Sequence, residues 1–152
     1  MTPEDIFAIA NTAALPGWAI LILAPRRWPL LNAVPALILP GALSLGYAAM
    51  VLTHFANAAA AGGGYGTLAQ VAILFGDDWA LLAGWVHYLA FDMFVGAWAA
   101  ARMDRIGLDR IVQAAVLVSI FMFGPLGLAL VLLTDLGLRT PLLFSTSLKK
   151  EA

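Results

Sequence analysis

The 152-residue chain contains no cysteine, which excludes disulfides, thiolate metal centres and a cysteine nucleophile. Charge is nearly as scarce. Asp, Glu, Lys and Arg make up 11% of the residues, where a soluble domain carries roughly 25%. The formal net charge of −1 leaves no basic face, so a nucleic-acid partner is excluded. The start, Thr2-Pro3-Glu4-Asp5, is acidic where a secretory signal would be basic, and no small-residue cleavage site follows. The first apolar stretch therefore reads as a retained helix. A phosphate-binding loop is also missing, because Gly62-Gly63-Gly64 has no Lys-Ser/Thr after it.

What fills the chain instead is apolar: 62% of residues are hydrophobic and the mean hydropathy is +0.92. Between Ile6 and Ala24, Leu30 and Thr53, and Ile111 and Thr134 there is no Asp, Glu, Lys or Arg. A bilayer core about 30 Å thick needs roughly 20 apolar residues in a helix, and each run is long enough. The fold class expected is all-α and integral to the membrane, a four-transmembrane-helix bundle over 1–138 with a polar C-terminal tail at 139–152. The spans are about Ile6–Ala24, Leu30–Thr53, Trp79–Ala101 and Ile111–Leu136. Pro25-Arg26-Arg27 stops the first, Pro35 and Pro40 bend the second, and Gly124-Pro125 interrupts the fourth.

The run Ala58–Gly66 reads as a flexible connection. Thr67–Phe75 is too short to span and reads as a short interfacial helix between spans two and three, with Leu68, Val71, Ala72 and Phe75 on one face. A longer third span starting there would have to bury Asp77 and Asp78, which is costly. Arg26 and Arg27 follow span one, and Arg102, Arg105 and Arg110 follow span three, so both loops are expected on the cytoplasmic side. Arg139, Lys149 and Lys150 dissent from that orientation.

Ionisable groups at membrane depth are functional candidates by default, and span three holds two, His87 and Asp92. Five residues of helix separate them by about 140° and about 7.5 Å, so they cannot pair directly and should face separate clefts or bracket one ligand. Asp92 shares its face with Trp85 and Tyr88, and His87 with Phe91, Phe94 and Trp98. Without a cationic partner, a carboxyl at this depth serves as a proton donor. The plain alternative is that both groups are satisfied structural residues. Asn11 and Thr12 in span one suit bonds across helices, with Ser44, Tyr47, Gln113 and Ser119 as weaker candidates for the same service. His54 and Asn57, at the end of span two, need no function. A metal or haem held by His54 and His87 together is set aside because their depths disagree, and no cofactor is expected. Trp28 and Trp79 fit an interfacial belt, while Trp85 and Trp98 are placed to wall an apolar pocket.

Trp85, His87 and Asp92, in the pattern Trp-x-His-x-x-x-x-Asp, with Phe123, Pro125 and Gly127 as Phe-x-Pro-x-Gly, resemble the abscisic-acid-deficient-4-like family of small membrane proteins over about Ile6 to Asp135. Its plant members take part in making neoxanthin from violaxanthin. The resemblance implies isomerisation of an epoxy-carotenoid to an allenic alcohol without net redox change. In that reading Asp92 is the acid, His87 the base or orienting group, Asn11 a hydrogen-bonding partner, and Trp85, Tyr88 and Trp98 pocket walls. No plant-like leader is evident, so a bacterial member of the inner membrane is expected, and its substrate need not be violaxanthin. The partners implied are the lipid bilayer and an apolar isoprenoid or carotenoid, with a homo-oligomer left open. The second reading is a non-catalytic carotenoid-binding or assembly protein, and a transporter ranks third because spans two and four offer little polar path.

Overall fold

The computed structural model of the chain describes residues 1–148, with side chains through Thr134 and at Leu136 and Gly137. Every regular element among the described residues is helical. The first helix, α1 (Pro3–Leu23), begins three residues before the charge-free run because its acidic start is a capping box. The Asp5 backbone N–H donates to the Thr2 hydroxyl at 3.2 Å, and the Thr2 N–H donates to the Asp5 carboxylate at 2.8 Å. Pro3 occupies the first turn, where its missing N–H costs nothing. At the other end Arg26 donates to the Leu21 carbonyl at 2.9 Å and the Asn32 side chain at 3.2 Å. The Pro-Arg-Arg stop is thus tied to both helices it separates.

Span two is built from α2 (Pro29–Ala33), a π-helical turn (Val34–Ile38) and α3 (Leu39–Ala60). The π turn contains Pro35 and ends two residues before Pro40, and there the Leu39 N–H reaches back five residues to Val34. Proline removes a helical donor and crowds the carbonyl four residues back; widening the turn absorbs both effects. The run expected to be a flexible connection opens as a hydrogen-bonded cap on α3, tightly packed at Gly63. Gly62 takes a φ of +96°, its N–H donates to Ala59, and the Gly63 N–H donates to Ala58, each at 3.0 Å. This is a Schellman ending. A Cβ on Gly63 would lie 2.7 Å from the Ala58 carbonyl and 2.9 Å from the Leu74 Cα.

That contact also decides which face of α4 (Leu68–Leu74) is covered. Thr67 caps it, accepting from the Gln70 N–H at 3.2 Å. Leu74 is buried where it meets the glycine cap, whereas Leu68, on the apolar face expected from sequence, is 85% exposed. The chain then breaks, and the Asp77 carboxylate accepts from the Ala80 N–H at 2.9 Å, starting α5 (Asp78–Arg105). Asp77 is a helix cap, and no longer third span forms.

α5 closes on a second Schellman ending at Gly107, whose φ is +71°. α6 (Arg110–Leu148) follows, with the Ile111 N–H donating to the Asp109 carboxylate at 2.8 Å. The fully buried Gln113 locks this turn, donating to Asp104 and to the Leu108 carbonyl, each at 2.9 Å. α6 is broken at Phe123 (φ −146°, ψ 52°), one residue before Gly124-Pro125. At this elbow Gly127 comes so close to Ile120 that a Cβ would overlap its backbone. The polar tail expected over 139–152 extends into residues 149–152, which lie outside those described.

Among the described residues, four helices are long and apolar enough to cross a membrane: Pro3–Leu23, Pro29–Ala60, Asp78–Arg105 and Arg110–Thr134. Their outward surfaces are apolar, with Leu45 74% and Leu52 85% exposed, which suits lipid and would not suit water. The chain forms two compact units, Met1–Phe94 and the part from Val95 onward. In the first, α1 buries Ala10, Ala14, Gly17, Trp18 and Leu21, and α5 buries Leu82, Val86, Leu89 and Met93. Gly17 is tightly packed, since a Cβ there would lie 2.6 Å from Leu39 Cδ1 and 2.9 Å from the Met93 sulfur. The second unit buries Ala99, Met103, Leu117, Ile120 and Val131.

Candidate functional site

The first unit sorts the candidates by the two sides of α5. On one side the Trp85 indole N–H donates to the Asn11 side-chain oxygen at 3.0 Å, and the Trp85 ring lies 5.7 Å from Phe7. Trp85 also stacks on Tyr88 at 5.8 Å, and the Tyr88 hydroxyl donates to Asp92. The second Asp92 oxygen, Oδ2, is buried with no hydrogen-bond partner. Asn11, Trp85, Tyr88 and Asp92 therefore form one connected chain against α1. Asn11 has the cross-helix bond that its type and depth suggested.

His87 lies on the other side, against α3. Its ring stacks on Phe91 at 4.4 Å and tilts against Tyr47 at 5.4 Å. It is exposed, and its nitrogens have no hydrogen-bond partner among the described residues. Together with His54, Tyr65 and Trp79 it lines a cavity of about 260 Å³ between α3, α4 and the first turns of α5. The rest of the lining is mostly apolar and includes no Asp, Glu, Lys or Arg. An engineered cavity of about 150 Å³ holds benzene, so this one accommodates a substituted ring.

Asp92 is not among the residues that line this cavity. Trp98 belongs to the second unit and is 40% exposed. Of the six residues singled out from sequence, four are joined along α1, one meets α3, and Trp98 lies in the second unit.

Two cavity residues were assigned lesser roles by sequence reasoning. His54 is not simply a polar group at a helix end. It stacks face to face on Trp79, with centroids 4.0 Å apart and planes within 4°, so Trp79 is a cavity wall as well as a residue near a span end. Tyr47 stands beside His87. The signal that could have found them is their spacing: Tyr47, Met50, Val51 and His54 repeat at i, i+3, i+4 and i+7 on one face, and all four line the cavity. His54 sits level with Trp79, eight residues before His87 on α5, so the two imidazoles lie about 12 Å apart along the axis. They mark opposite ends of one cavity. No cluster of three His, Cys, Asp or Glu side chains suited to a metal occurs among the described residues.

No curated protein and no solved structure matches this chain. One family does: ABA DEFICIENT 4-like, over residues 5–130. That match takes in all three residues of the Trp-x-His-x-x-x-x-Asp pattern, the cavity and the Phe123 elbow, and the chain belongs to the ABA DEFICIENT 4-like family of carotenoid-related membrane proteins.

Proposed function

We propose that this protein isomerises an oxygenated ring at the end of a carotenoid or related isoprenoid, and that the reaction takes place in the cavity beside His87. The observation that carries this reading is the state of His87, an imidazole at membrane depth, open to a ring-sized apolar cavity, with no hydrogen-bond partner among the described residues. A polar group in that position is costly unless something fills the space and bonds to it.

The chemistry needs one acid and one base. The acid delivers a proton to the epoxide oxygen as the C–O bond to the carbon joined to the polyene breaks. The base removes a proton from the next chain carbon, and the electron pair of that C–H bond closes the cumulated double bond. The product is an isomeric alcohol, so no oxidant or reductant is consumed. His87 is the base in this reading. The acid is the Tyr47 hydroxyl, because Tyr47 flanks His87 and lines the cavity. Asp92, first considered for that role, supports α5 through Tyr88.

The test is conversion of an added epoxy-carotenoid by purified protein in detergent, followed by chromatography. His87→Ala and Tyr47→Phe are expected to lose about a hundredfold in rate or more while remaining folded, and Asp92→Asn to convert the substrate. Conversion lost in Asp92→Asn but kept in Tyr47→Phe would return the acid to Asp92. Pigment bound without conversion by the unmodified protein would favour the non-catalytic binding reading.

A further inference from the structure

A second opening lies on the same α3–α5 seam. It is a groove of about 340 Å³ lined by Pro40, Gly41 and Ser44 on one helix and Ala90, Phe91 and Phe94 on the other. Phe91, which lines the groove, stacks on His87, which lines the cavity. The helices run antiparallel here, since His54 meets Trp79 and Tyr47 meets His87. The two openings therefore follow each other along one seam, with His87 of the cavity stacked on Phe91 of the groove where they adjoin.

From Trp79 to Phe94 this seam covers fifteen residues of α5, about 22 Å at 1.5 Å each, against a hydrocarbon core of about 30 Å. Its ends differ in character. The cavity end carries His54, Tyr47 and Tyr65, whereas the groove end has Ser44 as its one side-chain hydroxyl and is otherwise apolar. On α3 the groove is floored by Gly41 and Ser44, and a Cβ on Gly41 would touch nothing within 4 Å, so this position borders open space.

We infer that the α3–α5 seam is one elongated binding track, in which the cavity takes the oxygenated ring and the groove takes the stiff chain attached to it. Gly41 and Ser44 are then the residues that admit a long ligand. This rests on the proposed function for the identity of the ring, but the track itself concerns binding and does not require turnover. The occupant is a rod-like isoprenoid and not a phospholipid. A headgroup would bring charge into a cavity that has no charged side chain to meet it, and an acyl chain has no ring to fill it.

The test is the pigment retained per mole of protein purified in detergent from a carotenoid-producing host, with phospholipid measured in the same samples. Gly46→Phe is the control, because a Cβ at Gly46 also meets open space but Gly46 lines neither opening. Gly41→Phe and, as a second route, Ser44→Phe should lower retained pigment about tenfold by filling the groove. Both should still bind a short probe, a hydroxylated six-membered ring with a truncated side chain, as the unmodified protein does. Wild-type pigment retention in both variants would overturn the track. Phospholipid in place of pigment in the unmodified protein would overturn the occupant. Pigment held in the track but recovered unchanged would refute the isomerase reading alone, which keeps the two failures distinct.

Discussion

The bond between Trp85 and Asn11 offers a sharp test of how α5 divides its labour. Trp85 is 41% exposed, but exposure on a membrane span is exposure to lipid. Water is therefore not there to replace the Asn11 oxygen if it is removed. Cross-helix hydrogen bonds in membranes average about 0.6 kcal/mol and reach about 1.7 kcal/mol. The 3.0 Å distance and the charge-free surroundings of Asn11 place this one in the upper half of that range. Asn11→Leu and Trp85→Phe should each destabilise the protein by about 1 kcal/mol, and the double variant should lose little more than either alone. The Phe7 contact would remain in Trp85→Phe, since a benzene ring still meets it at that position. The assay is denaturant unfolding in micelles, followed by the fluorescence of the remaining tryptophans. Additivity within about 0.3 kcal/mol would refute the coupling. Conversion per folded molecule serves as a second readout. If Asn11→Leu left stability intact yet changed the pigment bound, Asn11 would be a ligand contact and the α1 side of α5 would belong to the site.

Gly127→Ala should destabilise the protein by about 1–3 kcal/mol or more, because the added Cβ meets the Ile120 backbone, which cannot rotate away. Gly46→Ala, where the new Cβ meets open space, should be neutral or stabilising by about 0.5–1 kcal/mol; equal thermal stability of the two variants in detergent would sink this account of the elbow. Gln113→Leu removes the donor that satisfies Asp104 and the Leu108 carbonyl, and a loss of about 1–3 kcal/mol is expected on thermal unfolding, with no change in pigment retention per folded molecule.

The spans were legible because bilayer thickness imposes a length and an apolar composition that any window of the sequence displays. Their ends were less so, because caps are made by polar residues that a hydropathy reading discards. Glu4 and Asp5 were excluded from α1 although Asp5 completes its capping box. The glycine run looked flexible because composition does not distinguish a tract with freedom from one with no room, and Gly63 has none. Helical spacing alone placed His87 and Asp92 on different sides of α5. It could not say which neighbour each side would meet, since that depends on how α1 and α3 dock. Tyr47 and His54 were passed over for a related reason. Tyr47 was weighed as helix–helix glue and His54 as a span-end residue or a ligand paired with His87, whereas their spacing on one face brings both onto one cavity.

A site of this kind must select its ligand without the force that usually drives apolar binding. Lipid tails are as apolar as a polyene, so moving the chain from bilayer to groove gains little hydrophobic free energy. What remains is packing against a fixed shape and hydrogen bonds to groups that lipid cannot satisfy. Both are present in the α3–α5 seam and are spatially separated there: shape in the groove beside Gly41 and Ser44, and the polar side chains of His87, Tyr47 and His54 in the cavity. The connected chain along α1 has most of its polar groups already bonded within the protein and has less to offer a ligand. Selection should therefore fall on the oxygen-bearing end first and on length second. For that reason the short hydroxylated ring separates the two contributions, where a full-length pigment would report only their sum.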